Sequence, residues 1–215
     1  MPAMVLTAPR APLPDGTNPG CGSPHNVSRP MTIPAAPQLI AIGGLSGTGK
    51  SVLARALAPA ISPQPGAVVL RTDVLRKQFF RVNETDRLPE SAYEPDVTEQ
   101  IYALLVQRTV GQLSQGHSVI VDAVFAQEAE RHAIREAARQ LSLRFVGLFL
   151  KADLETRLRR IGGRQHDASD ATPEIAGLQE KYNIGALDWA DIDASGILEQ
   201  TLQRCQARIA RCETA

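Results

Sequence analysis

The eight consecutive residues Gly44, Leu45, Ser46, Gly47, Thr48, Gly49, Lys50 and Ser51 satisfy the pattern G-x-x-x-x-G-K-[ST], whose chemistry is the cradling of nucleotide phosphates. The glycines let the backbone bend tightly and turn its N–H groups toward phosphate oxygens. A helix starting near Lys50 adds its positive N-terminal end. Lys50 is expected at the β- and γ-phosphates, and the Ser51 hydroxyl at a Mg²⁺ ion. Asp73 and Arg76 form a second constellation, D-x-x-R, whose helical spacing puts both on one face. A carboxylate there takes the proton of an attacking hydroxyl, and the arginine holds an anionic or polar substrate group or orients the acid. Asp122 closes the apolar run Val119-Ile120-Val121. It is expected to hold Mg²⁺, directly or through water, with a substrate-side role as the alternative. Ala123-Val124-Phe125 follows, and Phe125 either lines the substrate pocket or packs beneath it.

A third group is cationic. Arg157, Arg159, Arg160 and Arg164 cluster around Gly162-Gly163, with Asp167, Ser169 and Asp170 behind them. Phosphoryl transfer needs positive charge over the moving phosphate, and a hinged, arginine-bearing lid supplies it. Arg160 and Arg164 are expected to act there on the transferring group, with Arg157, one turn earlier, either a nucleotide contact or in the place of Arg160. A solvated basic helix face is the plainer reading of the same residues.

These side chains need a scaffold that brings them together. Gln38–Gly43 reads QLIAIG, an apolar, β-rich run, and Val52–Ile61 is a helical run with Pro59 near its end. Gly66–Arg71 is a second strand, which ends in Thr72-Asp73 and is followed by a short helical run from Val74 to Phe80. Residues 81–95 read as a loop. Asp96, with Glu99 three residues on, is expected to cap a helix that Gly116 ends. Ser118–Asp122 is a third strand. Gln127–Leu141 is a helix with Ala129, Ala133, Ala137 and Leu141 on one face. Leu143–Leu150 is a fourth strand, and Asp153–Ile161 a basic helix. A helix from Pro173 to about Gly185, a strand at Asp188–Asp193 and a helix at Gly196–Arg211 complete the series. Strands alternating with helices mean βαβ units and a parallel sheet, in which ligands bind at the carboxyl ends of the strands. The phosphate loop, Asp73 and Asp122 all follow strand ends, so they are expected to meet in one crevice.

The 215 residues suffice for one domain with a sizeable core. Residues 1–37, rich in Pro, Ala, Gly and Ser, are expected to form a disordered tail ahead of a domain at 38–215. Lys plus Arg number 23 and Asp plus Glu 23, a neutral balance that gives no electrostatic case for bulk binding of nucleic acid or anionic membrane. No apolar run approaches the roughly 20 residues of a membrane span. Cys21, Cys205 and Cys212 have no metal-ligand spacing and suit a reduced, cytoplasmic protein. His117, His132 and His166 show no ligand spacing either, and Trp189 reads as core.

The segments GLSGTGKS, RTDVLRK, SVIVDAVF and RLRRIGGRQHDASDA resemble the P-loop kinases of the AAA-family ATPase type, over about residues 38 to 212. In many bacteria that domain sits behind an aminoglycoside-phosphotransferase-like domain. More distantly, the chain is similar to zeta toxins, chloramphenicol phosphotransferase, gluconate kinase and polynucleotide kinase 5′-domains. The resemblance implies an α/β, three-layer P-loop fold with a five-stranded parallel sheet of adenylate-kinase type and an arginine-bearing lid. It places the catalytic acid at Asp73, an arginine at Arg76 and lid arginines near Arg160 and Arg164. The apolar Ala123-Val124-Phe125 departs from the polar run frequent in polynucleotide-kinase relatives. The resulting expectation is an ATP- and Mg²⁺-dependent kinase acting on a hydroxyl of a small molecule. A polynucleotide or nucleotide kinase, a zeta-type toxin, and a nucleotide-dependent ATPase switch acting on a protein partner are the alternatives.

Overall fold

Alternate residues of β1 (Gln38–Gly43) build two different cores. Leu39 and Ala41 join one buried cluster, and Ile40 and Ile42 join the other, because successive side chains on a strand point to opposite faces. In the computed structural model, which describes residues 36–163 and 167–211, every residue of β1 is buried. The strand lies between β3 (Val119–Asp122) and β4 (Arg144–Lys151), with β2 (Val68–Arg71) outside β3 and β5 (Ala190–Asp193) outside β4. All four pairings are parallel, as the alternating pattern requires.

Helices cover both faces. Leu53 and Leu57 of α1 (Lys50–Leu57), with Cys205 and Ile209 of α7 (Leu198–Arg211), close over the Ile40 side. Leu75 of α2 (Thr72–Phe79), Ile101 and Leu105 of α3 (Pro95–Ser114), and Ile134 of α4 (Glu128–Gln140) close over the Leu39 side. The helices α5 (Leu154–Gly162) and α6 (Pro173–Gln179) pack on each other. Trp189 is core, as expected. Its ring meets Phe125 and Phe145 edge-on at 4.9 and 5.8 Å, and it lies so close to β4 that a Cβ on Gly147 would stand 2.5 Å from its Cγ. Burial pushes the Cys205 thiol up to about 12, in keeping with an inert apolar role.

Several local expectations are corrected. The first helix stops at Leu57 and tightens into a 3-10 turn at Ala58–Ala60, because Pro59 has no N–H for the α ladder. Asp96 does not cap α3. Glu94 is the cap residue, Pro95 takes the first helical position, and Asp96 sits in the first turn. On α4, Ala129 and Ala133 are exposed, and the inward face is Arg131, Ile134, Ala137 and Ala138. A charged residue buried there escapes any hydrophobic pattern. Arg131 is held by the carbonyls of Phe125, Ala126, Ile184 and Ala186 at 2.6–3.0 Å. The helix from Pro173 ends at Gln179 rather than Gly185. The expected tail up to residue 35, together with Cys21, Arg164, His166 and Cys212, lies outside the described residues. Among the described residues, no helix is long and apolar enough to cross a membrane.

Candidate active site

The chain leaves β1 for β2, two places away, and after β3 crosses to β4 on the other side of β1. This switch point opens a crevice at the carboxyl ends of β1 and β3. The loop 44–51 enters it. Three donors converge on the Leu45 carbonyl: Thr48 Oγ1 at 2.8 Å, Lys50 Nζ at 3.1 Å and Thr48 N at 3.3 Å. Gly44 N donates to Val124 O at 3.1 Å, which ties the loop to the segment after β3. Gly47 has φ +88°, and a Cβ there would lie 2.6 Å from the Arg157 carbonyl, so only glycine lets α5 approach the loop this closely.

Asp73 and Asp122 reach the same crevice from α2 and β3. Its lining is Ser46, Lys50 and Ser51 from the loop, Thr72 and Asp73 from α2, Asp122 to Val124, and Ser169. Burial, and next the neighbouring Asp122 charge, raise the Asp73 pKa above the ordinary carboxylate value. Lys50, Arg71 and a hydrogen bond from Ser169 pull the other way without cancelling the rise. Asp73 is therefore a stronger base than a solvated aspartate, and it stands beside the phosphate loop.

Arg71, expected only as the end of the second strand, joins three parts of the site. Its Nε donates to Asp122 Oδ2 at 3.1 Å, and its Nη2 donates to Ser51 Oγ at 2.9 Å and to Asp167 Oδ1 at 2.8 Å. Burial works against its charge, but the Asp167 hydrogen bond and the fields of Asp122, Asp167 and Asp73 outweigh burial and raise its pKa. The segment from Asp167 to Asp170 forms a strap along α2. Ser169 lines the crevice with Asp73, and Asp170 accepts Lys77 Nζ on both oxygens at 2.7 Å, Tyr93 OH at 2.5 Å and Leu88 N at 3.1 Å. Lys77, 1% exposed, was equally invisible to spacing arguments.

The arginines are placed differently from expectation. Arg76 does share a face with Asp73, but it is only 5% exposed. Its guanidinium donates to Ala92 O and to Thr98 Oγ1, and it lies 4.7 Å from the centre of the Tyr93 ring. It is a packing cation under the 3-10 turn Glu90–Tyr93, and burial lowers its pKa. Arg157 is 1% exposed and lies behind the loop rather than over a phosphate. Its Nε donates to Ser46 O at 2.8 Å, its Nη1 pairs with Glu180, and its Nη2 donates to Ala176 O at 3.2 Å. Gln179, the last residue of α6, accepts from Ser46 N at 2.7 Å, so α5 and α6 hold both backbone groups of Ser46. Arg160 donates to Thr48 O at 3.4 Å and to Gly196 O at 2.8 Å, beside the loop rather than in the crevice. Arg164, the other expected lid arginine, lies outside the described residues. Phe125 is fully buried between Tyr102 and Trp189, so it packs beneath the site and Ala123 and Val124 line it instead.

The placement of Arg157 has a measurable consequence. Arg157→Ala leaves the carbonyls of Ser46 and Ala176 without this donor, at roughly 1–3 kcal/mol for the buried Ala176 acceptor and less for the part-buried Ser46 one. The melting temperature is expected to fall by several degrees, and Lys to rescue poorly because it cannot fork across two carbonyls. An unchanged melting temperature with a large loss of ATP affinity would return Arg157 to the nucleotide.

The residues suit a divalent cation of the magnesium kind. Ser51 Oγ and Asp122 are hard oxygen donors already gathered around one positive charge, the Arg71 guanidinium. Among the described residues, no three His, Cys, Asp or Glu side chains could hold a metal together.

The AAA domain family matches residues 39–183. An uncharacterized protein of Mycobacterium tuberculosis (strain H37Rv) is 31% identical over 175 residues, covering 78% of this chain and 34% of that protein. A counterpart in Mycobacterium bovis matches equally, so the chain spans about a third of the length of the curated relatives it matches. Among solved structures, a gluconokinase from Sinorhizobium meliloti 1021 is similar with a TM-score of 0.59 at 20% identity, covering 81% of this chain and 93% of that one. The APS kinase of Mycobacterium tuberculosis, in complex with AMPPNP and APS, gives 0.59 at 19% identity, covering 82% and 99%. At these identities the likeness establishes the fold, which is that of the P-loop kinases.

Proposed function

The chain belongs to the AAA domain family and has the P-loop kinase fold, and from that premise we propose that it is an ATP- and Mg²⁺-dependent kinase that phosphorylates a hydroxyl group of a small molecule. The observation that carries the reading is Asp73. A nucleotide switch needs a phosphate loop and a metal site. It does not need a further carboxylate of raised pKa in the same crevice as Lys50 and Ser51.

In this reading the phosphates lie on the loop, where Lys50 meets the β- and γ-phosphates. Ser51 Oγ and Asp122 hold the metal, which supplies charge neutralisation of the bridging and terminal oxygens when bound. The acceptor lies between Asp73, Ser169 and Ala123-Val124. Its hydroxyl proton passes to an Asp73 carboxylate oxygen as its oxygen attacks the γ-phosphorus. The bond from that phosphorus to the β–γ bridging oxygen breaks, and ADP leaves. The related gluconokinase and APS kinase are named for small-molecule acceptors, which favours an acceptor of that size over a nucleic-acid end.

The test is ATP turnover with and without candidate acceptors, followed by mass spectrometry of the products. Sugars, sugar acids, aminoglycosides, nucleosides and 5′-hydroxyl oligonucleotides make up the panel. A small-molecule acceptor is expected to stimulate turnover and to gain one phosphoryl group. Turnover that no acceptor stimulates, but that a protein partner does, would put an ATPase switch in its place.

A further inference from the structure

Ser51, Asp122 and Asp167 stand far apart in sequence, on α1, β3 and the strap, and one guanidinium joins all three. The sheet explains how. Arg71 is the last residue of β2 and lies beside Asp122 in the parallel register, so both side chains leave the sheet at the same carboxyl edge. The pair is shielded from water, with side chains 10% and 5% exposed. Little solvent screening is left to soften the field of a charge placed here.

We propose that Arg71 is the resident cation of the metal site: it holds Ser51 and Asp122 together in the metal-free protein, and an incoming divalent ion must displace it from at least one of them. The inference rests on the reading that gives Ser51 and Asp122 to the metal. A guanidinium and a divalent ion repel strongly at hydrogen-bonding range of the same two oxygens, so both cannot keep these positions at full occupancy. Asp167 gives the displaced guanidinium somewhere to go, because it already binds Nη2 at 2.8 Å. Asp167 is also two residues from Ser169, which lines the crevice beside Asp73. A guanidinium released from Ser51 or Asp122 would keep its bond to Asp167, and with it the tie between β2 and the strap that borders the proposed base. Arg71 is in this sense a positioning residue: it keeps the metal ligands and the strap in register before the substrates arrive.

A different role for the same contacts predicts the opposite sign. If Arg71 only oriented Asp122 for the metal from behind, its loss would weaken metal binding, as the loss of an outer-shell partner does. If Arg71 competes with the metal, its loss strengthens binding. The experiment is a Mn²⁺ titration of the nucleotide-free protein, with free Mn²⁺ read by electron paramagnetic resonance. Arg71→Gln is expected to tighten Mn²⁺ binding on the order of tenfold, because it removes the charge and keeps a donor. Arg71→Met, which keeps the stem and loses every donor, is expected to do the same and covers the case in which the Gln variant misfolds. Arg71→Lys keeps the charge and is expected to stay near the wild type. Adding Asp122→Asn to Arg71→Gln is expected to abolish the gain. Unchanged or weaker binding by folded Arg71→Gln and Arg71→Met overturns the proposal. A gain that survives Asp122→Asn overturns it too, by moving the metal elsewhere. No acceptor enters this measurement, so a failure to find one leaves the result standing.

Discussion

Replacing Asp73 by Asn is expected to slow phosphoryl transfer by on the order of 10²–10⁴-fold while the protein becomes more stable. The two effects share one cause. In the folded protein the Asp73 carboxyl holds its proton to a higher pH than its ordinary value of 3.8, because burial and the Asp122 charge both disfavour the anion. Between the unfolded and folded values the native state binds more protons than the unfolded chain, so stability falls as pH rises through that window. Above that window the whole penalty is in force. Asparagine has the same size, is neutral at every pH and carries no such penalty. The melting temperature of the ligand-free variant should therefore exceed that of the wild type at pH 7, by about 2–4 °C for each kcal/mol recovered, with the difference shrinking toward pH 3. ATP affinity should change little, since Asp73 faces the acceptor in the proposed arrangement. Steady-state kinetics with the acceptor, beside melting curves across pH, measure both effects. Intact transfer in Asp73→Asn, with transfer lost in Asp122→Asn, would exchange the roles of the two carboxylates. A lower melting temperature at neutral pH would show that the Asp73 anion is stabilised by its surroundings and is no elevated base.

Lys50→Ala is expected to abolish measurable transfer and to leave the fold intact. The lysine amine donates to the Leu45 carbonyl at 3.1 Å, but Thr48 holds that carbonyl twice more, through Oγ1 at 2.8 Å and N at 3.3 Å. The turn therefore keeps its shape without the lysine. What is lost is the cation at the β- and γ-phosphates, where charge develops as the phosphoryl group moves. Removal of a single fixed donor at such a position costs on the order of 10²–10³-fold in other enzymes, and a full charge is worth at least as much. The measurement is single-turnover transfer, with circular dichroism to verify folding. A folded variant with undiminished turnover would remove the phosphate loop from the reaction.

The parts of this protein that were legible in the sequence are those written in short-range patterns. The loop 44–51 is a contiguous motif, and its strand before and helix after are each set by residues adjacent to it. The alternation of apolar strands with helices was enough for a parallel sheet, because a parallel pair needs a crossover and a strand covered on both faces reads as a continuous apolar run. Asp73 and Asp122 were found for the same reason: each ends or follows a strand, and all parallel strands end at one edge. Local competition blurred only the boundaries, as where Pro59 shortened α1 and Pro95 took the helix start from Asp96.

What the charged side chains do depends on contacts made only in the folded chain. Four arginines near a glycine pair have the same sequence signature on a lid, on a solvated face or in a buried clamp. For Arg157 alone, burial and a bond to Ser46, 111 residues away, make it a clamp. Arg76 kept its expected helical face, but the long guanidinium turned to a carbonyl in the 3-10 turn, a direction that spacing does not encode. Arg71 and Lys77 find carboxylates 96 and 93 residues further on, in one strap. The one local hint was a cation closing an apolar strand next to Asp73. The reason is general: hydrophobic burial is periodic and so leaves a pattern along the chain, whereas an ion pair between distant elements needs only one residue on each and leaves none. The sheet, the phosphate loop and the strand-end carboxylates follow from short-range pattern along the chain. The three-way bridge at Arg71, the Asp167–Asp170 strap and the arginine clamp behind the loop exist only once the chain has folded and brought their partners together.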